Sequence, residues 1–338
     1  MRNEELGIRD YLIKNMRIGI LGAGHIAMKM ADTLRDKPEC RCAVGSRSYE
    51  KARAFADRWG FAHAYGSYEE LVADPDVDII YVATPHSHHF AHASLSINHG
   101  KAVLCEKAFT TNAREAEELL RLAEEKGVFI TEAIWTRYMP FSKTIRETID
   151  SGIIGQPKFL SANLSYPIDW KERLVRPELG GGALLDIGVY TLNFARMCFG
   201  TDIVDVKSAC QLGPTGMDMQ ETITLIYRDG RMANLQSSAY CADPRFGIIG
   251  GTKGYIVAEN INNPLRATVY NEDHQPIRTL EAPPQITGFE YQLAACEEAL
   301  RNGWLESPFM PHAETLAVMR LMDSLRAQWG VRFPADEG

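Results

Sequence analysis

The sequence predicts an α/β Rossmann domain with a doubly wound parallel sheet, followed by an α+β domain with a large, mainly antiparallel sheet. In the first half of the chain, short and continuously apolar strands alternate with helices, which is typical of a parallel sheet covered on both faces. In the second half, apolar and polar residues alternate along the strands, which is typical of an antiparallel sheet. The length of 338 residues also exceeds the usual size of one hydrophobic core. We therefore expect two domains, with a boundary near residue 135.

The first half contains five predicted strands, each a continuous apolar run. They occupy residues 17–21, 40–46, 77–83, 101–105 and 128–133, with a short further segment around Ala64. Predicted helical segments lie between them, at residues 22–36, 48–60, 87–99 and 112–127. Gly60 and Gly127 end two of these helices, as expected of a residue that readily adopts the left-handed conformation.

The second half contains longer, alternating strands and four predicted helices. The strands occupy residues 158–166, 203–212, 221–227 and 231–240, with shorter ones near 245–258 and 266–280. The helices occupy residues 140–151, 183–198, 287–302 and 312–329. Arg228-Asp229-Gly230 separates two of the strands and is typical of a hairpin turn.

Composition excludes several classes of function. The net charge of −8, from 36 basic and 44 acidic residues, gives no electrostatic support for binding nucleic acid or an anionic membrane. No apolar run reaches the ~18 residues that a membrane-spanning helix needs. The first 15 residues carry charges throughout and lack the apolar core of a signal peptide, so we expect a short helix or arm there.

The 7 cysteines are scattered without a Cys-x-x-Cys pair, which favours a reducing, cytoplasmic setting. Cys40 and Cys42 lie two apart on a predicted strand. That spacing favours core packing over a metal pair.

A glycine-rich turn follows the first strand. Gly22-Ala23-Gly24-His25-Ile26-Ala27 matches G-x-G-x-x-A between an apolar strand and a helix, the context of a dinucleotide site. Gly22 permits the tight turn, Gly24 lets a pyrophosphate approach the backbone, and Ala27 allows close helix packing. The phosphates are expected on the helix N-terminus, with His25 and Ile26 beside them. The alternative is a plain turn into a helix.

The residues at the end of the second strand usually determine whether a dinucleotide-binding domain prefers NAD or NADP. NAD-binding domains usually carry an acidic residue there to hold the ribose 2′-hydroxyl. This chain has Ser46 and Arg47, with Lys51 one helical turn later. Arg47 can pair with a 2′-phosphate through its planar guanidinium group. We expect NADP(H) to be preferred and NAD(H) to be possible; the alternative is that Arg47 is a solvated loop charge.

Three further segments carry chemistry. Cys105-Glu106-Lys107-Ala108 and the segment from Glu132 to Arg137 each follow a predicted parallel strand, at the edge where doubly wound folds bind ligands. Gly180-Gly181-Gly182 opens a predicted helix that carries Asp186 and Tyr190. These two residues are four apart and share one helical face.

Four segments together resemble the Gfo/Idh/MocA oxidoreductases, and within them the group of dihydrodiol dehydrogenases and NADP-dependent D-xylose dehydrogenases. They are AYGSYEEL (64–71), KAVLCEK (101–107), EAIWTR (132–137) and GGALLDIGVY (181–190). The resemblance runs from about Arg17 to the C-terminus. It implies a Rossmann domain followed by an α+β domain, and a homodimer or higher oligomer formed through the sheet of the second domain.

The resemblance also implies site residues. The family's active-site lysine lies in an E-K-P motif, which places that role on Lys107, although Ala108 replaces the proline and leaves the placement of Lys107 open. The D-x-G-x-Y element of the group maps to Asp186 and Tyr190. Further residues expected at the cofactor are Thr84, Pro85, His88, Glu106, Trp135 and Arg137.

The expected chemistry is an acid–base exchange paired with hydride transfer. A phenol titrates near pH ~10, too high for an efficient base at neutral pH, and a neighbouring ammonium lowers that value. Tyr190 would exchange the proton with the substrate oxygen, and Lys107 would lower the pKa of Tyr190. Asp186 would bind a second hydroxyl or orient Lys107. The alternatives are a core tyrosine, a surface lysine and an acid that interacts with the helix dipole.

Other residues are expected to frame the pocket. Trp135 suits the C–H face of a sugar or diol ring, although packing at the domain junction is an equal alternative. Trp170, Arg173 and Arg176 precede the glycine run and are expected in a substrate-side loop.

A histidine cluster is expected to form a wall of the cofactor site. It comprises His86, His88, His89 and His92, and no cysteine or carboxylate within this stretch completes a metal site. We therefore expect no metal.

The sequence thus predicts residues 1–134 to form an N-terminal arm and an NADP-binding domain, and residues 135–338 to form a substrate-binding and dimerisation domain. The expected reaction is hydride transfer between NADP(H) and a hydroxyl-bearing carbon of a sugar, polyol or cyclic trans-diol. Two alternatives remain: a related enzyme acting on inositol, keto-sugar or imine substrates, and a non-catalytic NADP-binding regulatory protein. The presence of both Lys107 and Tyr190 argues against a regulatory role, because a protein that only senses the cofactor needs neither residue.

Overall fold

The computed structural model describes residues 15–337, so the expected N-terminal arm lies outside the described residues. The chain divides into two compact units. The first comprises Met1–Tyr138 with Pro284–Met319, and the second comprises Met139–Pro283 with Arg320–Gly338. The predicted assignment of cofactor binding to residues 1–134 and substrate binding to residues 135–338 stays a prediction.

The first unit is built on a six-stranded parallel sheet, which confirms the predicted Rossmann class. Its strands are β1 (Ile18–Leu21), β2 (Arg41–Gly45), β3 (His63–Tyr65), β4 (Ile79–Val82), β5 (Ala102–Glu106) and β6 (Ile130–Ala133). They lie in the order β3-β2-β1-β4-β5-β6, and every neighbouring pair is parallel. The strand order reverses between β1 and β4, so the ligand-binding crevice of this fold is expected outside their carboxyl ends.

The second unit contains a large sheet of mainly antiparallel strands, as predicted. Its strands are β7 (Pro157–Ser165), β8 (Ile203–Leu212), β9 (Asp218–Tyr227), β10 (Met232–Ser238), β11 (Gly247–Gly251), β12 (Gly254–Glu259), β13 (Arg266–Asn271) and β14 (Pro276–Glu281). The order is β14-β13-β12-β11-β7-β10-β9-β8, and β7 with β10 form the one parallel pair within this sheet. The predicted hairpin joins β9 to β10, with Gly230 at φ +83°.

Helices lie between and after these strands along the chain. They are α1 (His25–Thr33), α2 (Tyr49–Trp59), α3 (Tyr68–Ala73), α4 (His89–Asn98), α5 (Ala113–Lys126), α6 (Pro140–Asp150), α7 (Glu172–Val175), α8 (Val189–Phe199), α9 (Glu290–Asn302) and α10 (His312–Trp329). The side chain of Ser48 caps α2 by accepting the Lys51 amide, and Gly60 ends that helix in the left-handed conformation.

Two local features differ from the expectations. Helix α3 was not predicted, because six residues are too few to show helical periodicity; Ser67 caps it by accepting the amide of Glu70. The helix predicted over residues 183–198 begins instead as a π-helical turn, Leu184–Gly188, and continues as α8. Single π turns are uncommon and occur often at functional sites.

Residues from late in the chain complete the edge of the first sheet. The amide of Ile130 in β6 donates to the carbonyl oxygen of Leu305 (3.1 Å), and Nε2 of His312 lies 2.9 Å from the carbonyl oxygen of Ile130. Because β6 is the last strand of the sheet, these contacts cover an edge that would otherwise expose unpaired backbone groups.

Among residues 15–337, none of the helices combines the length and apolar character needed to cross a bilayer.

Candidate active site

The carboxyl ends of four parallel strands meet at one edge of the first sheet. Leu21 pairs with Gly45 of β2 and with Val82 of β4, and Val82 pairs with Cys105 of β5. The residues that follow these strands therefore lie along a common edge. They are the predicted cofactor residues Gly22, Ser46, Thr84 and Lys107.

The glycine turn has the geometry that a bound phosphate requires. Gly22 adopts φ +105°, and a Cβ there would lie 3.1 Å from the carbonyl oxygen of Ala83. Gly24 is exposed, and the nearest atom to a Cβ there would be that same oxygen at 4.0 Å. Gly24 caps α1 without a side-chain hydrogen bond, and His25 beside it is exposed. The first amides of α1 are thus accessible to an anion.

Two cations stand at the end of β2. Arg47 and Lys51 are both exposed, and neither forms an ion pair with a carboxylate within residues 15–337. Ser46 is buried, and its amide donates to the carbonyl oxygen of Tyr65 (3.2 Å). Burial lowers the pKa of His88, and the charge of Arg47 lowers it further, so His88 and Arg47 are close.

The histidine cluster is held by hydrogen bonds to the protein. Nδ1 of His92 lies 3.0 Å from the hydroxyl oxygen of Thr84, and burial lowers the pKa of His92 to about 4. The two ring nitrogens of His89 lie 2.8 Å from the carbonyl oxygens of Thr84 and Ala108. His89 was predicted only as one member of the cofactor-site wall. The structure shows that it ties the end of β4 to the backbone that follows Lys107.

Lys107 sits above a buried carboxylate. Its amide donates to Oε2 of Glu106 (3.2 Å), and the Tyr81 hydroxyl donates to Oε1. Burial raises the pKa of Glu106, while the bond from Tyr81 and the positive charge of Lys107 oppose that shift. The peptide bond between Lys107 and Ala108 is cis. The side chain of Lys107 is half-buried, and its predicted catalytic role stays a prediction.

Trp135 and Arg137 are packed within the first unit. Trp135 is 4% exposed, and its ring lies edge-on to Phe289 at 5.2 Å between centroids. Nζ of Lys29 lies 3.9 Å from the centroid of Trp135. Arg137 forms a buried ion pair with Glu314. The predicted ligand contacts of Trp135 and Arg137 stay predictions, and Lys29 was missed because no motif marks it.

Glu132 is a second buried carboxylate at this edge. It is 1% exposed, and neither of its oxygens has hydrogen-bonding geometry to a described residue, although the Thr315 hydroxyl and the Phe109 amide lie nearby. Burial raises the pKa of Glu132 to about 7, and the charge of Arg137 opposes the shift. This carboxyl group therefore titrates near neutral pH.

In the second unit, a buried aspartate shapes the glycine run. Oδ2 of Asp218 accepts the amide of Leu184 (2.6 Å) at the start of the π turn. Gly182 adopts φ +105°, and a Cβ there would lie 2.3 Å from Oδ1 of Asp218. A Cβ on Gly181 would lie 2.5 Å from the carbonyl oxygen of Leu174. Both glycines are required by close approach.

The π turn and α8 present the predicted substrate-side residues. Asp186 lies in the turn, and its Oδ2 accepts a 2.8 Å hydrogen bond from Nη2 of Arg173. Nη1 of Arg173 is buried without a hydrogen-bond partner among the described residues. Tyr190 lies near the start of α8 and is 9% exposed. Trp170 is 75% exposed, so its predicted substrate contact stays a prediction.

Comparison with known proteins covers almost the whole chain. Residues 16–133 match a family model described as the GFO/IDH/MocA oxidoreductase family with an NAD-binding Rossmann fold, and residues 142–257 match the GFO/IDH/MocA C-terminal domain. The trans-1,2-dihydrobenzene-1,2-diol dehydrogenase of Mus musculus is 33% identical over 336 residues, covering 95% of this chain and 99% of the relative. The Xenopus tropicalis enzyme of the same name is 35% identical over 325 residues, covering 94% and 98%.

A solved structure shows the same architecture. It is a 3-ketoreductase from Actinomadura kijaniata in complex with NADP and TDP-benzene, with a TM-score of 0.85 and 25% identity, covering 93% of this chain and 98% of that chain. That enzyme has also been solved as a tyrosine-to-phenylalanine variant and as a lysine-to-alanine variant.

Proposed function

The chain belongs to the Gfo/Idh/MocA oxidoreductase family, and from that premise we propose that it transfers a hydride between NADP(H) and a hydroxyl-bearing carbon of a sugar, polyol or cyclic trans-diol. The observation that carries the proposal is the position of Lys107, on the same sheet edge as the open turn at Gly22 and Gly24. Similarity to trans-dihydrodiol dehydrogenases over 95% of the chain supports the substrate class.

The residues of the first unit fit a dinucleotide phosphate. The space in front of Gly24 is open, and the first amides of α1 lack a capping side chain. Arg47 and Lys51 are exposed without carboxylate partners in the described chain, which suits a 2′-phosphate. These features support NADP(H) over NAD(H), and the 3-ketoreductase is likewise in complex with NADP.

The proposed proton transfer uses two residues. The phenol of Tyr190 exchanges a proton with the substrate oxygen, and the ammonium of Lys107 favours the phenolate form. When bound, the nicotinamide accepts or supplies the hydride. Asp186 accepts a hydrogen bond from a second substrate hydroxyl, while Arg173 holds the carboxylate in place.

The proposed assembly is a homodimer formed through the sheet of the second unit. Phe159 of β7 pairs with Met232 of β10, and their side chains are 45% and 38% exposed on that sheet. An apolar sheet surface favours burial against a second copy. Light scattering at micromolar concentration tests this, and a mass near the 37.8 kDa of one chain would contradict it.

The experiment that tests the function is NADPH absorbance with aldoses, polyols, trans-diols and small dicarbonyls, repeated with NAD(H). We expect turnover with NADP(H) that falls by roughly 10²–10⁴-fold in Tyr190→Phe, with NADPH affinity unchanged. Tyr240→Phe is the matched control in the same unit. Full turnover by Tyr190→Phe would overturn the role of Tyr190. Tight NADPH binding without turnover on any substrate would favour the regulatory alternative.

A further inference from the structure

Three side chains of different chemistry lie close together in the first unit, and none of them belongs to the candidate active site. Cys42, His63 and Asp74 each offer one ligand atom, and these atoms all lie within 4.8 Å of one another. Nδ1 of His63 lies 2.7 Å from Oδ2 of Asp74. A thiol, an imidazole and a carboxylate are the three side-chain groups that bind zinc in proteins.

The backbone places these groups through an irregularity of strand register. In the pairing of β1 with β2, Ile18 pairs with Arg41 and Gly19 with Ala43, so Cys42 is skipped. An extra residue of this kind redirects its side chain out of the usual alternation. His63 begins β3, and Asp74 follows the last residue of α3. Because Cys42 and Asp74 are 32 positions apart in the sequence, it is the fold that brings the three side chains together.

The cluster is separate from the dinucleotide edge. His63 pairs with Ala43, and Tyr65 pairs with Gly45, whose successor Ser46 belongs to the predicted cofactor residues. Since β2 and β3 are parallel, Cys42 and His63 lie toward the amino ends of their strands. Ligands of doubly wound folds bind at the opposite, carboxyl edge.

The aspartate is oriented by its surroundings. The Tyr65 hydroxyl donates to Oδ2 of Asp74 (2.9 Å), and the amide of Asp76 donates to Oδ1 (2.8 Å). Nζ of Lys101 donates to the carbonyl oxygen of Asp74 (2.6 Å). Metal-ligating carboxylates are typically held by outer hydrogen bonds of this kind.

We propose that Cys42, His63 and Asp74 form a zinc site with one position open to solvent. Cys42 and Asp74 are buried, whereas the side chain of His63 is 41% exposed. The fourth zinc ligand is therefore a water molecule on the solvent-facing side of the site, next to His63. On binding, the S–H bond of Cys42 breaks, a sulfur–zinc bond forms, and the proton passes to solvent. The proton on Nδ1 of His63 moves to Nε2, so Nδ1 can ligate. This proposal departs from the expectation of no metal, because the sequence does not reveal the register irregularity at Cys42.

The test uses the untagged full-length protein, freed of metal and titrated with Co²⁺ as a spectroscopic probe and then with Zn²⁺. We expect one equivalent of Co²⁺ to give a near-ultraviolet thiolate-to-cobalt band that Zn²⁺ abolishes. Cys42→Ser should remove the band and weaken Zn²⁺ binding at least about 100-fold, and His63→Gln should weaken it similarly. Tyr65→Phe should weaken binding by roughly 10-fold, because it removes an outer hydrogen bond to Asp74.

Control variants test whether the metal binds at this site or at other cysteine and histidine side chains. Cys241→Ser removes an exposed thiol, and His99→Gln removes an exposed imidazole; both should bind one equivalent as the unchanged protein does. NADPH affinity, measured in every variant, reports an intact fold at the opposite sheet edge. If Cys42→Ser does not fold, His63→Gln and Tyr65→Phe still decide the question. A band that persists in His63→Gln, or no binding by the folded protein, would show that the cluster is a hydrogen-bond network only.

Discussion

Arg173 holds the carboxylate of Asp186 through a 2.8 Å hydrogen bond, and the side chains are 41% and 10% exposed, respectively. A pair with one well-exposed partner contributes little to stability, on the order of 1 kcal/mol or less. Under the proposed function, its importance lies in fixing Asp186 on the π turn.

We therefore expect Arg173→Met to lower kcat/KM by roughly 10–100-fold while the melting temperature changes little. In a double-mutant cycle, Arg173→Met should cost much less in the Asp186→Asn background, because the two residues act as a unit. Arg228→Met is the matched control, since Arg228 pairs with Asp202 on the surface of the same unit. Additive effects of the two changes would contradict the coupling.

Arg47 is expected to determine cofactor preference. Loss of a charge-assisted hydrogen bond to a phosphate corresponds to about 1.5–3 kcal/mol, so Arg47→Ala should raise the Kd for NADPH by roughly 10–100-fold. The Kd for NADH should change less than threefold, because NADH lacks the 2′-phosphate. Fluorescence titration with both cofactors measures this. Arg53→Ala provides the control, since Arg53 pairs with Asp57 on α2; equal losses for NADPH and NADH would exclude the proposed contact.

Glu132 is expected to make stability depend on pH. Its pKa is raised to about 7 in the folded protein from an ordinary value of 4.5. Between these values the folded state retains a proton that the unfolded state has lost, so the free energy of unfolding decreases as pH rises through this window. Below pH 4.5 both states are protonated, and above pH 7 both are ionised, so the contribution becomes constant.

Glu132→Gln removes this contribution. Urea unfolding at pH 5, 6, 7 and 8 should show that the variant gains stability relative to the unchanged protein as pH rises, by up to a few kcal/mol. The exposed Glu124→Gln should leave the pH profile unchanged. Parallel profiles for Glu132→Gln and the unchanged protein would contradict the shifted pKa.

Gly182 is expected to tolerate no side chain. Its φ of +105° disfavours any other residue, and a Cβ would lie 2.3 Å from Oδ1 of the buried Asp218. Gly182→Ala should therefore lower the free energy of unfolding of the second unit by roughly 2–5 kcal/mol. Gly216→Ala separates backbone strain from collision, because Gly216 has φ +81° with nothing within 4 Å, and its cost should be about 1 kcal/mol. Equal losses in the two variants, measured by denaturant unfolding, would show that Asp218 moves aside.

The features that depend on a local sequence pattern could be predicted from the sequence. The turn at Gly22 and Gly24 was predictable because an apolar strand precedes it and a helix follows. The alternating strands of the second unit were predictable because one face of each is buried. In both cases the determining residues are neighbours in the chain.

Features that depend on distant packing were not predictable. Lys29 meets Trp135 only when α1 packs near the end of β6. The π turn at Leu184 depends on Asp218, which lies 34 residues away. The pairing of Arg173 with Asp186 required the course of the loop between them. In each case the sequence shows the residue type but does not identify its partner.

The contact between Ile130 and Leu305 at the sheet edge has a consequence for folding during synthesis. About 175 residues separate these two, so a ribosome adding ~5–20 residues per second needs roughly 10–35 s to deliver the second after the first. During that time β6 presents an unpaired edge, which is prone to wrong pairing. Each compact unit is completed by a segment that is synthesised after the rest of that unit, Pro284–Met319 in the first and Arg320–Gly338 in the second. A chain that stops before Pro284 therefore lacks the closing segment of both units.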